Sequence, residues 1–275
     1  MYSRRLILTL FLTSAAALAN ADNHNAGTLV KVMSIDDVEW GYLNPLRGVL
    51  SPGAADLWGD RTTGTATGML VRFKKGFESP PHIHNITYRG VVIEGVMHND
   101  DPTAAKMWMP PGSFWTQPAG EDHTTAADGE TNLIYLEIDS GPYLVKPSAE
   151  QFDNGERPLN LHVDNVVWLE NSDLHKINAD NVQATHLWGS SAETGGSMIK
   201  LGVGFEGELT TEASEFRAVV IGGEVSYSAR DLDGAKTLSA GSYIESTGAY
   251  THRFANDSDD EATIYIRTNS AYQLN

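Results

Sequence analysis

The second half of the chain repeats the first half, and this duplication constrains the fold more than any other feature. Gly76–Glu78 returns with the same three residues as Gly204–Glu206. Arg89–Ile93 returns as Arg217–Ile221, and both spacings are 128 residues. A repeat of about 20–50 residues would indicate a solenoid or propeller, so a repeat of this length indicates a duplicated domain.

Both halves consist of short runs of β-branched and aromatic residues separated by Gly, Pro, Asn and Asp. Gly68–Phe73 and Asn132–Ile138 are examples, and no long stretch has the 3.6-residue period of a helix. Many short strands with frequent turn residues are typical of a β-sandwich or β-barrel. The predicted fold class is all-β, with two tandem β-barrels over residues 30–145 and 146–275.

A histidine pair in the first half has the spacing of a metal site. His82 and His84 are two residues apart in an extended segment, so their side chains point to the same face. Neutral imidazole is the commonest protein ligand of divalent first-row metals, and a third imidazole would complete a pocket. His123 follows a Pro-x-Gly turn that starts a new strand, and it is the predicted third ligand.

These segments resemble the two motifs of the cupin superfamily. The first motif, a Gly followed by His-x-His and a second Gly, is matched by Gly76, His82, His84 and Gly95. The second motif, a Gly followed by Pro-x-Gly and a His, is matched by Gly112, Pro118, Gly120 and His123. Tyr88 stands where the family usually has Glu, and Ala127 where it has Asn. The resemblance implies two tandem cupin (jelly-roll) β-barrels, and one divalent metal ion among Fe, Mn, Ni, Zn and Cu.

Tyr88 has the same strand parity as the histidine pair, so it should face the same interior. A phenol is not a default ligand, and the expected role is a pocket wall or a hydrogen-bond donor to bound substrate or water. Tyr88 is therefore the predicted catalytic residue. Three neutral imidazoles leave a metal ion its full charge and at least one open position.

Two functions from different classes fit this site. The pattern resembles cupin dioxygenases that cleave diketones or phenolic rings, which predicts a metal-dependent oxidoreductase acting on a small organic substrate. The alternative is a non-catalytic cupin that binds or senses a metal and a small molecule, because cupins host both functions. The open coordination position favours the enzyme, whereas the lack of an evident acid or base favours the binding protein.

The second half carries a degenerate version of the site. The 128-residue spacing places Thr210 and Glu212 at the positions of His82 and His84, and His252 repeats His123. Glu212 and His252 could bind a metal weakly or form a structural hydrogen bond.

Several other residues near the motifs are expected to be structural. Trp108, Phe114 and Trp115 are predicted to be barrel core, with a substrate-pocket wall as the alternative. Glu121 and Asp122 precede His123 in a turn and should be exposed, with a role as a base or as a hydrogen-bond partner of a ligand as the alternative. His98 should be a surface histidine.

The chain begins as exported proteins do. Residues 1–21 have a basic start at Arg4 and Arg5, a short apolar run and an A-x-A site, which predicts a cleaved signal peptide and a periplasmic or secreted protein. The chain has no Cys, so it must be stabilised without disulfides. Its net charge of −17 makes nucleic acid and anionic membranes poor partners. A small molecule is the expected partner, and a homodimer is expected only by analogy with cupins.

Overall fold

A computed structural model describes residues 30–172, 175–190 and 193–275. The predicted signal peptide lies outside these residues. The described chain is almost entirely β-structure, with short 3-10 helices at Ile35–Asp37, Pro45–Leu50, Ser148–Glu150 and Val163–Asn165. No helix in these three ranges is long and apolar enough to cross a membrane.

The first thirteen strands lie between residues 30 and 161. They are β1 (Val30–Met33), β2 (Gly41–Tyr42), β3 (Gly53–Trp58), β4 (Thr67–Lys74), β5 (Phe77–Glu78), β6 (His82–His84), β7 (Tyr88–Glu94), β8 (Met97–Asp100), β9 (Phe114–Gln117), β10 (Thr124–Ala127), β11 (Thr131–Ile138), β12 (Val145–Pro147) and β13 (Leu159–Leu161).

The remaining strands form the second half. They are β14 (Lys176–Ile177), β15 (Val182–Trp188), β16 (Gly195–Leu201), β17 (Glu206–Thr211), β18 (Phe216–Gly222), β19 (Glu224–Ser228), β20 (Lys236–Ser239), β21 (Tyr243–Ser246), β22 (Tyr250–Ala255), β23 (Ala262–Thr268) and β24 (Tyr272–Leu274).

Each half folds into two facing groups of strands. In the first half, a large sheet of order β13-β9-β7-β11-β4-β3-β2 faces the smaller pairings β5-β10-β8 and β12-β6. In the second half, a sheet of order β1-β21-β18-β23-β16-β15 faces β14-β24-β17-β22-β19-β20. This is the predicted all-β, two-barrel architecture, and the prediction of the fold class is confirmed.

The two halves exchange strands. β1 pairs with β21 in the second barrel, with Val30 opposite Ser246, and β13 pairs with β9 in the first barrel, with Leu159 opposite Thr116. The division of the chain between residues 145 and 146 stays a prediction of where one repeat ends. In the sheets, a strand from each side of that division pairs with a strand from the other side.

Side chains alternate between the two faces of each strand, and this alternation divides the buried apolar residues into three cores. On β11, Ile134 and Leu136 face the interior of the first barrel, whereas Tyr135 faces the second barrel. The second barrel has a separate interior core, which includes Phe216 and Leu209. Both faces of the central sheets are therefore buried, one inside a barrel and one between the barrels.

Candidate metal centre

Two strands of the first barrel bring the three histidines together. His82 and His84 lie on β6, and His123 immediately precedes β10. His82 and His123 exchange two backbone hydrogen bonds, each of 3.0 Å from N to O. This antiparallel bridge places both imidazoles on the inner face of the barrel, beside that of His84.

The three imidazoles form a compact, buried cluster. One ring nitrogen from each histidine lies within 4.8 Å of the others. The exposed fractions of His82, His84 and His123 are 9%, 2% and 0%. In the described part of the chain, this is the one group of three or more His, Cys, Asp or Glu side chains with such geometry.

Backbone carbonyls fix the tautomers of two of these histidines. His82 Nδ1 lies 2.9 Å from Pro80 O, and His123 Nδ1 lies 3.1 Å from Glu121 O. Because a carbonyl only accepts, each Nδ1 carries the proton and each Nε2 keeps a free lone pair. His84 Nε2 lies 3.2 Å from the hydroxyl of Tyr143. Hydrogen-bonded imidazoles that present a free nitrogen are the donor set that a transition-metal ion requires, so the residues fit such an ion.

Burial keeps the cluster neutral. It lowers the pKa of His123 to about 3, with a contribution from neighbouring His82. Burial also lowers the pKa of His82, and it lowers the pKa of His84 well below the usual value together with the two neighbouring histidines. All three are therefore neutral imidazoles at neutral pH, which is the form that binds metal.

Tyr88 lies against the cluster, on the face that the sequence predicts. It is 2% exposed, and its hydroxyl lies 3.2 Å from His123 Nε2 and 2.9 Å from Asn99 Oδ1. Burial raises the pKa of Tyr88 above its usual value, so it is a protonated phenol at neutral pH.

The cluster forms one wall of a cavity of about 520 Å³. Most of the lining is apolar or aromatic, and its aromatic side chains, apart from the histidines, are Phe73, Phe77, Tyr88, Trp115 and Tyr143. The polar lining is Asn44, Arg47, Ser51, Ser79, Asn99 and Thr125, besides the tyrosines and two of the histidines. No carboxylate of the described residues lines this cavity, although the chain has 36 Asp and Glu.

Three neighbours of the cluster and of Tyr88 were not predicted. Tyr143 stacks on His84 with 4.3 Å between ring centroids, and Asn99 and Gln117 are hydrogen-bonded behind Tyr88. Asn99 and Gln117 lie on β8 and β9, and Tyr143 lies in the segment between β11 and β12. Nothing in the sequence marks them, because only the folded sheet brings them to the histidines.

The other aromatic residues differ in position. Phe114 belongs to the core between the barrels and not to the predicted barrel core, whereas the adjacent Trp115 points inward and lines the cavity. Trp108 is half-buried and packs edge-on against His98. The prediction of a surface position for His98 is wrong, because His98 lies on β8 opposite Ala126 of β10 and is 2% exposed.

The turn before His123 is less exposed than expected. Glu121 and Asp122 are half-buried, and Ser148 Oγ donates a 2.6 Å hydrogen bond to Asp122 Oδ1. Neither carboxylate lines the cavity. Glu121 contributes to the site through its backbone carbonyl, which holds His123.

The second barrel lacks a comparable cluster among its described residues. Glu212 is exposed and does not pair with His252, so the hydrogen bond considered for these two residues does not form. His252 is fully buried, with Nδ1 2.8 Å from the Tyr227 hydroxyl and Nε2 3.0 Å from Ser246 Oγ. Both ring nitrogens therefore have partners.

The register of the second barrel explains this difference. Leu209 lies opposite His252, at the place where His82 lies opposite His123. Glu78 pairs with Ala126, and Glu206 pairs with Ala255, so the first barrel has one extra residue between Glu78 and His82. A one-residue shift changes which side chains face inward, and Leu209 replaces the predicted Thr210.

Comparison with known proteins agrees with the fold. Residues 31–275 match the family described as "Domain of unknown function (DUF4437)". Among curated proteins, no sequence matches this chain.

The solved structures that are similar to this chain include three that are named for enzymes. A candidate dioxygenase from Nostoc punctiforme has a TM-score of 0.68 and 15% identity, covering 89% of this chain and 84% of its own. Oxalate decarboxylase from Lactobacillus farciminis has a TM-score of 0.58 and 10% identity, covering 89% and 87%. Salicylate 1,2-dioxygenase from Pseudoaminobacter salicylatoxidans has a TM-score of 0.54 and 12% identity, covering 78% and 73%. At these identities the likeness establishes a shared fold, and the predicted cupin fold is confirmed.

Proposed function

This chain belongs to the DUF4437 family, and we propose that it is a metal-dependent, dioxygenase-like oxidoreductase acting on a small organic substrate. One observation carries the proposal. Three buried, neutral imidazoles converge within 4.8 Å at the wall of a cavity of about 520 Å³. A cavity of that size accepts a small molecule, and three neutral ligands leave room for the molecule at the same ion.

His82, His84 and His123 would hold the ion. A bound Fe, Mn, Ni, Zn or Cu ion would supply a positive centre for an anionic substrate group, and Fe(II) would also supply O₂ chemistry. The choice among these metals depends on availability, because imidazole binds all of them.

The other residues of the cavity would position the substrate and exclude water. Phe73, Phe77 and Trp115 offer apolar surface to a ring or an aliphatic chain. The Tyr143 hydroxyl has His84 as its one hydrogen-bond partner within the described ranges, and it can donate its proton to a bound molecule instead. Arg47 is the one Lys or Arg side chain in the lining, and it suits a negatively charged substrate.

The alternative is a non-catalytic protein that binds a metal and a small ligand. The absence of a carboxylate from the described lining favours this alternative, because the cavity then has no Asp or Glu to act as a base. For either function we propose a periplasmic or secreted location, which is supported by the signal peptide predicted from the sequence of residues 1–21. A homodimer remains a prediction by analogy.

Oxygen consumption separates the two functions. The Fe(II)-loaded protein would be tested with a panel of β-diketones and catechol-like compounds, beside a His82→Ala/His84→Ala variant loaded in the same way. We expect oxygen uptake with at least one compound in the unaltered protein and none above background in the variant. Binding of panel compounds without oxygen uptake would instead support the non-catalytic function.

A further inference from the structure

The Tyr88 hydroxyl lies at one end of a chain of hydrogen bonds. The backbone oxygen of Glu121 lies at the other end and determines which group donates in each bond. Gln117 Nε2 lies 3.2 Å from the backbone oxygen of Glu121, which can only accept, so Gln117 presents its amide nitrogen there. Gln117 Oε1 therefore accepts from Asn99 Nδ2, at 2.9 Å. Asn99 Oδ1 is left to accept from the Tyr88 hydroxyl at 2.9 Å and from Thr125 Oγ1 at 2.7 Å.

The direction of donation along this chain determines where the proton of the Tyr88 hydroxyl points. Because Asn99 presents an oxygen, the phenol donates away from the histidine cluster and turns an oxygen lone pair toward it. His123 Nε2, which lies 3.2 Å from this oxygen, also carries a lone pair, since the proton of His123 is on Nδ1. Two acceptors thus face each other with no proton between them, which is unfavourable unless a cation binds both.

The distance between these two atoms matches that between neighbouring ligands of one ion. Ligand atoms bound at about 2.1 Å lie about 3.0 Å apart around an octahedral ion and about 3.4 Å apart around a tetrahedral ion. The observed 3.2 Å lies between these values.

We propose that Tyr88 is a fourth ligand of the metal ion, binding through the oxygen of its neutral phenol. Gln117 and Asn99 are positioning residues that hold the phenol proton away from the ion. This inference rests on the proposed three-histidine metal site, and it gives Tyr88 a role other than that of a cavity wall or a hydrogen-bond donor to substrate.

Tyr143 provides a matched control. Its hydroxyl also lies 3.2 Å from a cluster nitrogen, His84 Nε2, but it has no acceptor behind it among the described residues. Its proton is therefore free to point at His84, whereas the proton of Tyr88 is held by Asn99. The two phenols are equally close to the cluster and differ in the direction of donation.

The test is Co(II) affinity by chelator competition, together with the visible spectrum of bound Co(II), at neutral pH. We expect Tyr88→Phe to weaken Co(II) binding about tenfold or more and to change the spectrum. Tyr143→Phe should change both much less than Tyr88→Phe does. Gln117→Met frees the Asn99 amide to rotate, so it should weaken binding even though Tyr88 is intact.

The outcomes distinguish this inference from the proposed function. If Tyr88→Phe binds Co(II) with unaltered affinity and spectrum while His123→Ala loses binding, the three-histidine site stands and the role of Tyr88 as a ligand is wrong. Equal weakening in Tyr88→Phe and Tyr143→Phe would also overturn it, because proximity alone would then explain the effect. If the unaltered protein binds no Co(II), both proposals fail.

Discussion

His123 and His252 occupy equivalent positions in the two repeats, yet their surroundings differ. Each is fully buried, and burial lowers the pKa of each to about 3. His123 has one ring nitrogen held by a backbone carbonyl, and its imidazole clusters with those of two more histidines. His252 has both nitrogens bonded to hydroxyl groups and packs on Phe216, with 4.3 Å between ring centroids. One histidine is therefore available to a metal, and the other belongs to the core.

The first prediction follows from this contrast. Added metal should raise the melting temperature of the unaltered protein, because a ligand that binds only the folded state stabilises it by about 2.7 kcal/mol at a hundredfold excess over Kd. His123→Ala should abolish the rise. His252→Ala should preserve it, although the melting temperature without metal falls because a packed core side chain is lost.

Differential scanning calorimetry with and without metal would measure both variants. Because the two histidines are equally buried repeat equivalents, each controls for the general effect of removing a core imidazole. Loss of the metal-induced shift in both variants would mean that the two barrels share or couple the metal.

The sequence predicted which side chains meet inside the first barrel better than it did for the second. Spacing alone placed His82, His84 and His123, since strand parity and a turn signal determine where those side chains point. The inference for Thr210 failed because an insertion of one residue in the other repeat reverses parity. Tyr143 carries no sequence signal, because it reaches the cluster through tertiary packing.

At the scale of elements, the cavity depends on the close packing of β7 on β9. Gly90 on β7 lies opposite Trp115 on β9, and an added Cβ at Gly90 would lie 2.1 Å from the Trp115 ring. Gly90 therefore allows the indole to lie flat across the sheet and line the cavity.

The second prediction is that Gly90→Ala destabilises the protein and disturbs the cavity. Forcing the indole away should lower the free energy of unfolding by about 1–3 kcal/mol, as is usual for overpacking. Gly64→Ala is the control, because an added Cβ there meets nothing within 4 Å. Urea denaturation would measure the stability, and a shift in Trp fluorescence should accompany it only in Gly90→Ala. Equal stability of the two variants would show that Trp115 has room to move.

Alternation of apolar residues predicted strands but not all of their partners. The repeats and their short strands were evident, whereas the exchange of β1 and β13 between barrels was not. The sequence of a strand of three or four residues can show that one face of the strand is buried. That sequence does not show which of two similar sheets the strand joins.

At the scale of the whole molecule, the two barrels meet through a near-symmetric core that contains a buried ion pair. Trp58 donates to Tyr135 at 3.1 Å, and its repeat equivalent Trp188 donates to Tyr265 at 2.9 Å. Both tyrosines donate to the carboxylate of Glu137, at 3.0 and 2.8 Å.

The repeat equivalent of Glu137 is Arg267, and the two form an ion pair of 3.2 Å across the interface. Their side chains are 1% and 6% exposed. Duplication would place like residues opposite each other, so the opposite charges make the two barrels complementary.

The third prediction is that Glu137→Gln destabilises the interface. Removing one partner of a buried ion pair leaves an uncompensated charge, and we expect the free energy of unfolding to fall by about 3 kcal/mol. The exposed pair Arg253–Glu208 is the control, and Glu208→Gln should cost less than about 1 kcal/mol. Urea denaturation would measure both variants. A cost for Glu137→Gln no larger than that of the control would mean that Asp139, which also contacts Arg267 at 2.8 Å, is a sufficient partner.

The central claim is a single metal site in the first barrel, and elemental analysis of protein purified without an affinity tag tests it most directly. We predict about one transition-metal ion per chain in the unaltered protein, and almost none in a His82→Ala/His84→Ala variant purified in parallel. Two ions per chain, or a metal content unchanged in that variant, would contradict the claim.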